Sequence, residues 1–92
     1  MKNLSETTEL MNSTDYKDRF KAEYYQLETR LIKLKNMIDK WDKNEFSFTP
    51  TCPRGLYDKQ IEYMYNYLLI LIDRAKIENV DIDVDDEVKH IL

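Results

Sequence analysis

Glycine and proline are nearly missing from this chain, with one Gly and two Pro in 92 residues. Few positions therefore accept a sharp turn. A short chain with few turns is built from a small number of long elements, and those are helices. A single cysteine, Cys52, excludes an internal disulfide and suits a cytoplasmic protein. No run approaches the ~18 apolar residues of a membrane span, so no membrane partner is expected. The first six residues lack the apolar centre of a signal peptide. His90 is the one histidine and is far in sequence from Cys52, so no pair stands at zinc-ligand spacing and no Cys–His nucleophile is expected. With Gly55 as the one glycine there is no Gly-rich phosphate loop. Asp81, Asp83 and Asp85 alternate like calcium ligands but lack the glycine turn and the closing Glu, and read as a solvated acidic linker. No metal, cofactor or catalytic residue is predicted.

A broad basic surface is also missing. The net charge is -4, and of the 18 acidic residues five (Asp81, Asp83, Asp85, Asp86, Glu87) fall in residues 79–92, against Lys89 alone. The other 78 residues hold 13 basic and 13 acidic side chains. That distribution argues against DNA or RNA as partner, yet leaves room for a small phosphate ligand. The chain is 35% charged with a mean hydropathy of -0.68, as expected of a solvated helical surface. Its 12% aromatic content argues against disorder. Seven of the aromatics are tyrosines, rings with a polar tip that suit interfaces and stacking sites.

Hydrophobic spacing sets the organisation. Residues 1–13 form a polar N-terminal arm, in which Ser5 caps one or two helical turns. The hairpin occupies residues 14–78. Its first helix starts at Thr14 or Asp15 and runs to about Trp41, roughly 40 Å at 1.5 Å per residue. Phe20, Tyr24, Leu27, Leu31, Leu34, Ile38 and Trp41 repeat at alternating steps of four and three along it. The connection is residues 42–55, where Pro50 and Pro53 stop helix growth, Phe46 and Phe48 tuck the loop inward, and Cys52 plugs it. The second helix runs from about Leu56 to Glu78. One stripe on it is Tyr57, Ile61, Met64, Leu68, Leu71 and Ala75, and an adjacent one is Gln60, Tyr63, Tyr67, Ile70, Arg74 and Ile77. This helix is apolar over more than the face that meets its partner, and the surplus, with Leu69 and Ile72, predicts a homo-oligomer. Residues 79–92 are an acidic tail that starts extended and closes with a short helix, capped by Asp83 or Asp85, in which Val84, Val88 and Ile91 share a face. The fold class is therefore all-α: a long antiparallel helical hairpin with short terminal segments.

Two polar features stand out. Arg19, Glu23, Gln26, Arg30, Lys33 and Met37 repeat beside the core stripe of the first helix, with Tyr16 one turn before Arg19. Such charges are commonly a solvated face, but guanidinium beside an aromatic ring is also the pairing that holds a nucleotide. Arg74 sits in the apolar run Leu69-Ile-Leu-Ile-Asp-Arg-Ala75 and needs a partner. Asp73, Glu78, a neighbouring chain and an anionic ligand all qualify.

Tyr16-x-x-Arg19-x-x-x-Glu23-x-x-x-Leu27-x-x-Arg30-x-x-Lys33-Leu34, then Pro50-x-Cys52-Pro53, then Gln60-x-x-x-Met64-x-x-Tyr67-x-x-x-Leu71-x-x-Arg74-Ala75, resembles a family of small phage proteins. That family is similar to the helical hairpin of the anti-CBASS and anti-Thoeris nucleotide sponges. The resemblance covers residues 16–80. It implies a phage-encoded, non-enzymatic protein of the host bacterial cytoplasm that assembles as an oligomer, often a hexamer. Such a protein sequesters cyclic di- or trinucleotide signals, or cyclic ADP-ribose-type signals, without cleaving them. Carried over by position, Arg19 is the basic residue near a dinucleotide site, with Tyr16 and Phe20 as stacking rings and Glu23 orienting Arg19. Arg74 belongs to a second pocket, where protomers meet around a trinucleotide. The competing readings are a non-catalytic structural or adaptor hairpin that binds a protein partner, and a small helical mutase whose arginines hold a dicarboxylate.

Overall fold

The computed structural model describes residues 2–45 and 49–91. Phe46 and Phe48, expected to pack the connection, lie outside the described residues. A 3-10 turn at Leu4–Thr7 leads into a one-turn helix, α1 (Thr8–Met11). Two long helices follow, α2 (Tyr16–Asp42) and α3 (Arg54–Glu78), and a 3-10 turn at Asp86–His90 closes the chain. No strand occurs among the described residues, and the protein is all-α. Its extents are 43 × 24 × 21 Å, the long axis being set by the 27-residue α2.

Local chemistry explains where the helices begin and end. Asp15 caps α2 by accepting the Lys17 N–H at 2.9 Å, and its own N–H donates to the Ser13 hydroxyl. α3 starts two residues before the expected Leu56, because Pro53 sets the entry backbone and Arg54 reaches both Asp42, at 2.6 Å, and Asp58, at 2.9 Å. The Arg54 guanidinium also lies 5.5 Å from the Trp41 ring, and Trp41 meets Tyr57 edge-on, so this end of the hairpin is stapled by side chains. α3 ends where Asn79 adopts left-handed backbone (φ 56°), which lets Val80 N–H donate back to the Ala75 carbonyl. Asn3, rather than Ser5, caps the N-terminal turn, accepting the Glu6 N–H at 3.0 Å. Cys52 is exposed and does not plug the connection.

The hairpin core follows the expected stripes. Phe20, Tyr24, Leu31 and Ile38 of α2 are buried against Ile61, Leu68, Leu71 and Ala75 of α3, each large side chain contributing about 1.5–3 kcal/mol by leaving water. A second face of α2 is buried as well. Ala22, Tyr25, Thr29 and Ile32 lie beneath the two terminal segments, which bring Thr7, Val80, Val88 and Ile91 into the interior. The tail is therefore a strap across α2. Asp85 caps its closing turn by accepting the Glu87 N–H at 2.9 Å. The arm is fixed by the Thr29 hydroxyl, which donates to the Lys2 carbonyl, and by Gln26, which donates to Thr7 Oγ1 at 2.9 Å.

Candidate ligand-binding face

α2 is wrapped, whereas α3 is covered on one side. The stripe that contains Tyr63, Tyr67, Ile70, Arg74 and Ile77 faces outward; Tyr63 is 66% exposed and Ile77 80%. Leu69 is exposed beside it, while Ile72 is half-buried against the core. Antiparallel packing pairs this stripe with the polar stripe of α2. The Tyr67 hydroxyl donates to the Glu23 carboxylate, and two turns further along the Arg74 guanidinium reaches Tyr16. The two rungs are seven residues apart on each helix, so both fall on one face.

Around the first rung lies a cleft of about 300 Å³. Arg19, Gln26 and Arg30 come from the polar stripe, Met11 from the arm and Tyr67 from α3, with Glu23 among them. Arg19 is positioned by its own entry turn, Nη1 donating to the Ser13 carbonyl at 2.9 Å. Gln26 is held by Thr7. Two cations, one amide, one carboxylate and an aromatic ring thus share a concave surface of the size a nucleoside fills. Lys33 continues the stripe in solvent, and Met37 turns inward towards the core.

Around the second rung the contacts are denser. The Tyr16 hydroxyl donates to Glu78 Oε1 at 2.7 Å, Arg74 Nε donates to Glu78 Oε2 at 2.9 Å, and Arg74 Nη2 donates to the Tyr16 oxygen at 2.8 Å. The guanidinium lies 5.1 Å from the Phe20 ring. Tyr16 and Arg74 hold the Glu78 carboxyl below its usual range, and Glu78 in turn raises both the Arg74 guanidinium and the Tyr16 phenol.

The structure divides the expected dinucleotide site. Arg19 and Glu23 share the cleft, but Glu23 bonds to Tyr67. Tyr16 goes to Arg74 instead, because antiparallel register places the first turn of α2 beside the last turns of α3. Phe20 is 2% exposed, with its face under Arg74 and its edge against Tyr16, so it offers no surface to a base. Arg30, Gln26 and Tyr67 were not among the expected site residues. The signal was the stripe itself: Gln26 and Arg30 follow Arg19 at helical spacing, and Tyr67 shares the second stripe of the other helix with Tyr63 and Arg74.

The sequestin family model matches residues 14–77, well over half of the chain and the whole of the α2–α3 hairpin except Glu78. The chain belongs to the sequestin family. Sequestin is the phage cyclic-nucleotide sponge family. No curated protein and no solved structure shows significant similarity to the chain. The sequestin match begins at the turn that positions Arg19 and ends beside Glu78, so both rungs of this face lie in or next to it. Among the described residues no helix is long and apolar enough to cross a membrane, and no group of three or more His, Cys, Asp or Glu is placed to hold a metal. Asp83 and Asp85 instead direct their backbone N–H groups to Tyr25 and Glu28.

Proposed function

We propose that this protein is a phage anti-defence sponge that binds cyclic oligonucleotide immune signals in the host cytoplasm and sequesters them intact. The observation that carries this reading is the cleft that brings Arg19, Arg30, Gln26 and Tyr67 together on a sequestin hairpin. In it the guanidinium groups take phosphate oxygens and the tyrosine ring takes a base. Arg74 and Tyr16 form the second contact point, for a trinucleotide shared by several copies. One charge-assisted hydrogen bond contributes about 1.5–3 kcal/mol net. A nanomolar complex needs roughly 12 kcal/mol, so an open cleft on one chain is too weak alone. The exposed stripe of α3 supplies the remedy: copies that pack through Tyr63, Ile70 and Ile77 bring several arginines to one ligand.

Isothermal titration of the full chain against a panel of cyclic di- and trinucleotides tests the reading. Binding of at least one, at fewer than one ligand per chain, is expected. An absence of heat and of any rise in melting temperature across the panel would defeat it. The exposed α3 stripe also suits a protein partner. An adaptor role is favoured instead if a single host or phage protein is captured on this face and Arg74→Ala leaves capture unchanged.

A further inference from the structure

The donors of the second rung already surround an anion. Glu78 places one carboxylate oxygen on the Tyr16 hydroxyl and the other on Arg74 Nε. Lys17 lies alongside, its Nζ donating to the Asn79 carbonyl at 3.1 Å. A guanidinium and a phenol set on one carboxylate in this way form the environment a phosphate group takes. The cluster is open to solvent, the Arg74 side chain being 44% exposed and that of Glu78 31%.

We infer that Arg74 and Tyr16 form a phosphate site whose resident anion in the free protein is Glu78, so that a ligand phosphate enters by displacing this carboxylate and Glu78 sets how tightly the site binds. The inference rests on the reading of Arg74 as a ligand group and adds the residue that regulates it. Displacement is cheap on physical grounds. Arg74 and Glu78 are an exposed pair four residues apart on one helix, and such pairs contribute little to stability. Glu78 is the last residue of α3, next to the left-handed Asn79, so its side chain turns into water without disturbing the core. Arg74 keeps its place throughout, because its guanidinium rests over the buried Phe20 ring. Tyr16, released from Glu78, redirects its hydroxyl to the incoming oxygen.

The test is a titration of the full chain with inorganic phosphate at neutral pH and constant ionic strength, read at the Arg74 Nε–Hε resonance. Glu78→Gln preserves the shape and removes the charge. It should bind phosphate about two- to fivefold more tightly than the wild type, the factor expected for removing an exposed ionic competitor. Tyr16→Phe should bind more weakly than the wild type. Equal or weaker phosphate binding by Glu78→Gln would overturn the inference, as would a Glu78 carboxyl carbon resonance in the wild type that does not move when phosphate saturates Arg74. Circular dichroism of Glu78→Gln checks that the helices persist; if they do not, the Glu78 resonance alone decides. Phosphate needs no cyclic nucleotide to be present, so failure of the sponge reading and failure of this one are separately visible.

Discussion

The Asp85 backbone N–H donates to the Glu28 carboxylate across 3.1 Å, and this bond joins the acidic tail to the outer face of α2. The same carboxylate oxygen accepts the Tyr24 hydroxyl at 2.6 Å. Glu28 is 1% exposed, and it is tolerated in the interior because donors meet it. Glu28→Ala leaves two buried donors unsatisfied and is expected to cost about 3 kcal/mol. Glu28→Gln, which keeps an acceptor oxygen, should cost less. Urea denaturation followed by circular dichroism measures both, and faster hydrogen exchange at the Asp85 amide would report the loosened strap.

The tyrosines beneath the strap predict alkaline sensitivity. Burial and the Glu28 carboxylate raise the Tyr24 phenol far above its ordinary value, and burial raises Tyr25. A group whose folded value is raised stabilises fully below its unfolded value, 10.0, and loses that contribution as pH rises beyond it. The urea midpoint should therefore fall as pH climbs above about 10. Tyr25→Phe, which also gives up the bond from the Asp83 N–H, should lower stability at neutral pH and flatten this alkaline decline.

The opposite sign applies at Glu78. Tyr16 and then Arg74 lower its carboxyl, so its contribution is present above the unfolded value of 4.5 and is lost as pH falls through the lower folded value. The melting temperature of the wild type should exceed that of Glu78→Gln at pH 7, with the gap closing in acid below about pH 4. A gap that stays constant with pH would mean that the charge of Glu78 does not matter to the hairpin.

For the cleft, Arg19→Ala and Arg30→Ala should each weaken a cyclic dinucleotide about ten- to a hundredfold, the loss of one charge-assisted contact. Tyr67→Phe keeps the ring and frees the Glu23 carboxylate, so it separates stacking from hydrogen bonding. It should bind far better than Tyr67→Ala. Titration calorimetry of the four variants, with oligomer size checked by light scattering, reads these effects.

Much of the hairpin was legible because it follows from spacing. The four-and-three steps from Phe20 to Trp41 mark the face that α3 covers, and the stripe from Tyr63 to Ile77 is indeed the one left exposed. Asp85 and the shared face of Val84, Val88 and Ile91 announced the closing turn. The second buried face of α2 was harder to see. Ala22, Tyr25, Thr29 and Ile32 repeat at three and four, but Glu28 and Thr29 look like solvent residues until the strap covers them. The site suffered from a related difficulty. Tyr16 is a neighbour of Arg19 in sequence, yet its partner is Arg74, and pairing between antiparallel helices depends on register, which neither helix encodes alone. Spacing along one helix names a face; it does not name what that face meets.

The most direct measurement is recovery of the ligand. The full chain is saturated with the cyclic nucleotide that gives the largest heat, freed of unbound ligand by gel filtration, and denatured, and the released nucleotide is identified by chromatography and mass. The account predicts that the nucleotide co-elutes with an oligomer and is released chemically unchanged, and that Arg19→Ala carries less of it. A nucleotide that is cleaved, or one that never co-elutes with the protein, would contradict it.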